Sequence, residues 1–149
     1  MIKNFLLVDD DKDDTELFAD ALKDIDSSIK FNYAFNCSEL IRGLLQNKFN
    51  PQIIFLDVNM PGMTGWQCLE TLKKGDATKN IPVIMYSTSA ARLEGKKAVK
   101  HGALGFYEKP TRFEWLKEFL KKVSISSEAD LRNTLKKLEG VNGHRIYVE

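Results

Sequence analysis

Short, almost wholly apolar runs recur along the chain at Phe5 to Val8, Ile53 to Leu56 and Ile81 to Tyr86, the last interrupted by Pro82 near its start. Runs of this length, bounded by polar or turn residues and rich in branched and aromatic side chains, suit strands buried on both faces. Between them the period becomes helical: Leu17, Ala21 and Leu22 form one stripe, Leu40, Leu44 and Leu45 a second, Trp66, Leu69 and Leu72 a third. The pattern predicts strand 3–8, helix 12–24, strand 30–35, helix 38–47, strand 52–57, helix 65–74, strand 81–86, helix 90–101, strand 104–107 and helix 112–123. Asn36 with Glu39 can cap one helix, Thr111 with Glu114 makes a capping box for another, and Gly75 and Gly102 stand where helix C-termini want a left-handed residue. Five βα units imply an α/β fold, a doubly wound five-stranded parallel sheet with helices on both faces, because parallel strands need crossovers.

The stretch 124–149 is too short for a second domain. Ser127 with Asp130 can cap a helix whose stripe is Leu131, Leu135 and Leu138, ending at Gly140, so an extra C-terminal helix is expected to pack on the domain or on a partner. The domain proper then covers 1–123 and the extension 124–149.

Composition narrows the function classes. At 149 residues with 43% hydrophobic side chains the chain is expected to fold as one domain. Twenty-two basic against twenty-one acidic residues give a net charge of +1, which leaves no global field for DNA or an anionic membrane. Cys37 and Cys68 lie 31 residues apart with no histidines nearby to complete a metal set, and read as reduced core thiols. The apolar start runs into Asp9-Asp10-Asp11 too soon for a signal peptide or a membrane span, so a cytoplasmic location follows.

Ligands of such a sheet bind at the carboxyl ends of its strands. There stand Asp9 and Asp10 after the first strand, Asp57 at the end of the third, Ser87 and Thr88 after the fourth, and Lys109 followed by Pro110 after the fifth. Converging carboxylates repel unless a cation sits among them, and oxygen ligands of this kind suit Mg²⁺. A metal, an ammonium and a hydroxyl around one aspartate can stabilise a phosphoryl group in transfer, with Asp57 as nucleophile.

These residues carry a resemblance to response regulator receiver domains (the CheY-like superfamily) of the stand-alone, single-domain type, over residues 1–123. The matching segments are Val8-Asp9-Asp10, then Leu56-Asp57-Val58-Asn59-Met60-Pro61 with Gly65, then Ile81 to Ser87, Gly102 to Phe106, and Lys109-Pro110. The resemblance implies the flavodoxin-like strand order 2-1-3-4-5, for which receiver proteins are themselves a standard example. It also implies that Asp57 is the phosphoacceptor, and that Mg²⁺ is held by Asp57, by Asp10 directly, by Asp9 through water and by the Asn59 carbonyl. Lys109 would pair with the phosphoryl group, Ser87 would bind its oxygen, and Phe106 would be an aromatic switch that turns inward. Serine at 87 and phenylalanine at 106 depart from the commoner threonine and tyrosine; serine keeps the hydroxyl, but Phe106 cannot hydrogen-bond outward.

The implied function is a phosphorylation-dependent switch of a two-component phosphorelay, receiving its phosphoryl group from a histidine kinase or a histidine phosphotransfer protein. It would signal by binding a downstream protein, and would be no enzyme beyond its own phosphorylation and dephosphorylation. In the resembled family the face built from 90–123 meets partners or a second copy. Here it carries Arg92, Lys96, Lys97, Lys100, Arg112, Lys117, Lys121 and Lys122, with Trp115 and Phe119 expected to be partly exposed. His101 and His144 read as surface residues. A small Mg²⁺-dependent phosphatase of the haloacid dehalogenase type is a rival reading. It requires an acid two residues after the nucleophile, and Asn59 stands there. A degenerate receiver serving only as an interaction module is the third reading, although every acidic and basic site position is intact.

Overall fold

The computed structural model describes residues 1–149. In chain order the elements are β1 (Asn4–Val8), α1 (Lys12–Ile25), β2 (Lys30–Ala34), α2 (Cys37–Leu45), β3 (Ile53–Leu56), α3 (Gly65–Lys74), β4 (Val83–Ser87), α4 (Ala91–Lys100), β5 (Gly105–Glu108), α5 (Phe113–Ile125), α6 (Leu131–Leu138), a 3-10 turn (Val141–Gly143) and β6 (Ile146–Val148). The sheet order is β2-β1-β3-β4-β5-β6; the first five strands are parallel and β6 runs antiparallel to β5.

Alternation along the central strands feeds two cores. Phe5, Leu7, Ile53, Phe55, Ile84 and Tyr86 face the layer of α1 and α5, while Leu6, Val8, Ile54, Leu56, Val83 and Met85 face α2, α3 and α4. All these side chains are buried, which is why the strands read as unbroken apolar runs. Phe55 meets Phe18 and Phe119 edge-on, tying the middle of the sheet to both α1 and α5.

The structure corrects the expected five strands to six. β6 is only three residues long, too short for its alternation to stand out, yet it closes the outer edge of β5 with Phe106 opposite Tyr147 and Tyr107 opposite Ile146. The extension packs on its own domain: Leu131, Leu135, Leu138 and Ile146 are buried in the α1–α5 core. Tyr147 lies against Gly95 of α4, where a Cβ would run into its ring.

Other local expectations also shift. Leu17 is exposed and Phe18 takes its place in the core, and Leu45 is likewise exposed. Gly102 has the left-handed φ of +101° expected after α4, whereas Gly75 has φ −79° and needs no glycine on that account. The Thr111–Glu114 box does not form: α5 starts one residue late for it, with Arg112 at the cap position and no side-chain cap bond. Asn36 does cap α2, accepting from the Glu39 amide at 2.8 Å. Cys37 and Cys68 are joined in a disulfide rather than held as reduced thiols. The sheet lays the start of α2 beside α3 on one face, with Cα atoms 5.8 Å apart, a proximity that a 31-residue separation hides.

His144 is buried, not superficial, because the chain folds back over α5. Its Nδ1 lies 3.1 Å from the Tyr107 hydroxyl and its Nε2 2.7 Å from Glu118 Oε1. Phe119 is fully buried too, stacked on Tyr107 with ring centroids 3.7 Å apart.

Candidate functional site

The site lies where β1, β3, β4 and β5 end. Pairing brings these ends level: the Asp57 amide donates to Val8 O, the Asp9 amide to Ala34 O, and the Lys109 amide to Ser87 O at 2.7 Å. Asp9, Asp57 and Lys109 are thus the first residues beyond strands whose positions the core fixes, Ser87 is the last within its own, and Asp10 follows Asp9.

Asp9, Asp10 and Asp57 converge, each offering a carboxylate oxygen within 4.8 Å of the others. Their surroundings differ. Asp9 is wholly enclosed; its Oδ1 accepts from the Asp11 amide at 3.0 Å and its Oδ2 from Lys109 Nζ at 2.7 Å. Asp57 is buried and Asp10 faces solvent. Burial first, and then the charge of Asp9, push the Asp57 carboxyl from 3.8 up to about 7. Burial also raises Asp9, against the bond from Lys109. Two buried acids that resist ionising side by side, with a third oxygen open to water, fit a hard divalent ion. Mg²⁺ suits such ligands and keeps waters of its own.

Asp11, third in the acidic run, does other work: it caps α1, accepting from the Asp13 and Asp14 amides. Gly65 lets the start of α3 close on the β3 loop, because a Cβ there would strike the Asp57 carbonyl. Asn59 lies exposed two residues past Asp57. Ser87 is buried at the end of β4, its Oγ accepting from the Ser89 amide at 3.4 Å.

Lys109 Nζ lies 3.9 Å from Asp57 Oδ2 and makes ion pairs of 2.7 Å with Asp9 and with Asp14. Its side chain is nearly enclosed, over the Tyr86 ring at 5.4 Å from the centroid. Asp14 is the residue that sequence reasoning missed. A signal existed: Asp14 lies four residues before Phe18, on the upstream extension of the buried face of α1, where an acid needs a partner.

Phe106 is already fully enclosed, among Leu56, Met85, Ala98 and Ala103 on the α4 side of the sheet. The expected inward turn would begin from an outward ring. Here the ring already lies inward, with β6 along the strand edge and Tyr147 packed against the same cluster.

Three carboxylates and a lysine thus stand at the ends of a 2-1-3-4-5 parallel sheet, and comparison with known proteins shows the family to which such a chain belongs. The response regulator receiver domain model matches residues 5–121, and the chain belongs to that family. A protein-glutamate methylesterase/protein-glutamine glutaminase of Methanococcoides burtonii is 34% identical over 113 residues, covering 74% of this chain and 30% of that protein. The chemotaxis protein CheY of Pseudomonas aeruginosa is 34% identical over 74 residues, covering 50% of this chain and 60% of that one. The chain therefore spans about a third of the methylesterase relative and under two thirds of the chemotaxis protein. Among solved structures, the phosphorylated cyanobacterial phytochrome response regulator RcpA aligns with a TM-score of 0.74 at 25% identity, covering 85% of this chain and 96% of that one. Chemotaxis response regulator CheY4 of Vibrio cholerae aligns with a TM-score of 0.69 at 25% identity, covering 83% and 99%. No helix is long and apolar enough to cross a membrane.

Proposed function

We propose that the chain is a phosphorylation-controlled switch in a two-component relay, with residues 1–123 as the receiver unit and 124–149 as an extension that completes its sheet edge. The observation that carries this reading is Asp57 in a cluster with Asp9 and Asp10, with the Lys109 ammonium 3.9 Å away. A carboxylate oxygen of Asp57 attacks the phosphorus of a phosphohistidine in a histidine kinase or histidine phosphotransfer protein. The O–P bond forms, the P–N bond breaks, and the imidazole leaves with the electron pair and takes up a proton. Asp9, Asp10, Asp57 and the Asn59 carbonyl would hold Mg²⁺, which neutralises phosphoryl oxygens when bound.

Lys109 is held for the charge that develops at the phosphoryl group, and the Ser87 hydroxyl is free to donate to one of its oxygens. The new group adds about 1.5 to 2 negative charges beside these two residues. Movement of Ser87 loosens the packing under α4, and Phe106, facing Tyr147 across the β5–β6 pair, passes the change to α4 and the extension. The reading surface is then the part of the 90–123 face that β6 leaves open, with the exposed Arg92, Lys96, Lys97 and Lys100 of α4, where a downstream protein or a second copy of this chain binds. The dehalogenase-type alternative lacks an acid to protonate a leaving group, since Asn59 is an amide.

The test is intact mass spectrometry after incubation with acetyl phosphate and Mg²⁺. One phosphoryl group is expected on the parent and none on Asp57→Asn or after EDTA. Equal labelling of Asp57→Asn would refute the assignment.

A further inference from the structure

We propose that Asp14 is a positioning residue that draws the Lys109 ammonium away from Asp57 and so sets how readily the phosphorylated state forms. The inference rests on the phosphoacceptor reading of Asp57 given above. An ammonium has three N–H donors. Two of those on Lys109 are committed at 2.7 Å, one to Asp9 Oδ2 and one to Asp14 Oδ2. Asp57 Oδ2, at 3.9 Å, lies outside hydrogen-bond range. The lysine thus bridges α1 and the sheet edge and leaves the reacting carboxylate without a bonded cation.

Asp14 is not needed where it stands for any other evident purpose. The end of α1 is capped by Asp11, and the neighbouring Asp13 already puts an exposed acid in the first turn without a side-chain partner. The Asp14 side chain is 29% exposed, against 0% for Asp9, so its hold on the lysine is the more easily exchanged for water. A phosphoryl group arriving on Asp57 competes with Asp14 for the ammonium. Removing the Asp14 charge frees that donor while Asp9 keeps the lysine at the site.

The experiment measures the acetyl phosphate concentration that half-labels the protein at fixed Mg²⁺, by intact mass. Asp14→Asn is expected to lower it about fivefold, the scale on which one partly exposed ion pair acts. Asp14→Glu should behave as the parent. Asp13→Asn removes the same charge one residue away without touching Lys109 and should leave the value unchanged, as should adding Asp14→Asn to a Lys109→Met background. A parent-like value for Asp14→Asn, an equal gain from Asp13→Asn, or a gain that persists without Lys109 overturns the proposal while the parent still labels at Asp57. If the parent shows no labelling that Asp57→Asn abolishes, the phosphoacceptor reading itself fails, and the role of Asp14 falls with it.

Discussion

Asp57 is buried beside Asp9, and in the absence of a divalent ion that arrangement costs stability in a pH-dependent way. A carboxyl whose pKa is higher in the folded than in the unfolded chain binds its proton more tightly when folded. The folded state is therefore favoured with Asp57 protonated, and stability is lost as pH rises from the unfolded value of 3.8 through about 7. At about 1.36 kcal/mol per unit, that shift of roughly three units sets an upper bound of about 4 kcal/mol on the cost of the charged form above pH 7. Asp57→Asn removes the charge and keeps the shape. In EDTA at pH 8 the variant should be more stable than the parent by about 2 to 4 kcal/mol, or about 5 to 15 °C in Tm for a chain of this size. The gap should narrow steadily towards pH 4. Saturating Mg²⁺ at pH 8 should stabilise the parent far more than the variant, since the ion binds the folded acidic cluster. Urea unfolding followed by circular dichroism at several pH values measures all of this. A variant no more stable than the parent at pH 8, or a gap that does not change with pH, would refute the reasoning.

Two further outcomes follow from the geometry. Asp10→Ala takes away the solvent-facing oxygen of the cluster and should weaken Mg²⁺ binding at least about tenfold by titration calorimetry; parent-like affinity would mean the ion sits elsewhere. Gly95→Ala would ordinarily gain about 0.5 to 1 kcal/mol inside a helix, but the added Cβ meets the Tyr147 ring. It should instead destabilise by about 1 to 3 kcal/mol, with faster hydrogen exchange at Ile146–Val148; a stabilised variant would show that β6 does not depend on this contact.

The parallel strands and most of the site were legible in the sequence for one reason: strands covered on both faces must be apolar throughout, and polar residues at their carboxyl ends then stand out. That placed Asp9, Asp57, Ser87 and Lys109 at one edge without further information. What was illegible depends on contacts between distant segments. β6 is three residues of weak alternation whose meaning comes from the open edge of β5. The Cys37–Cys68 bridge depends on α2 and α3 lying side by side, and His144 is buried because the extension returns to Tyr107 and Glu118. In the stripe of α1, Ala21 and Leu22 are buried as the pattern predicts, but Phe18 rather than Leu17 completes it, and with Leu17 in that place Asp14, one turn before Phe18, did not stand out.

The central claim is that Asp57 itself carries the phosphoryl group, and trapping the acyl phosphate tests it most directly. Protein incubated with acetyl phosphate and Mg²⁺ is reduced with borohydride, which converts an aspartyl phosphate to homoserine, and the peptides are sequenced by tandem mass spectrometry. Homoserine at position 57, dependent on both reagents, is the predicted result. Homoserine at Asp9, Asp10 or Asp14, or at no aspartate in a protein that has gained phosphoryl mass, would contradict it.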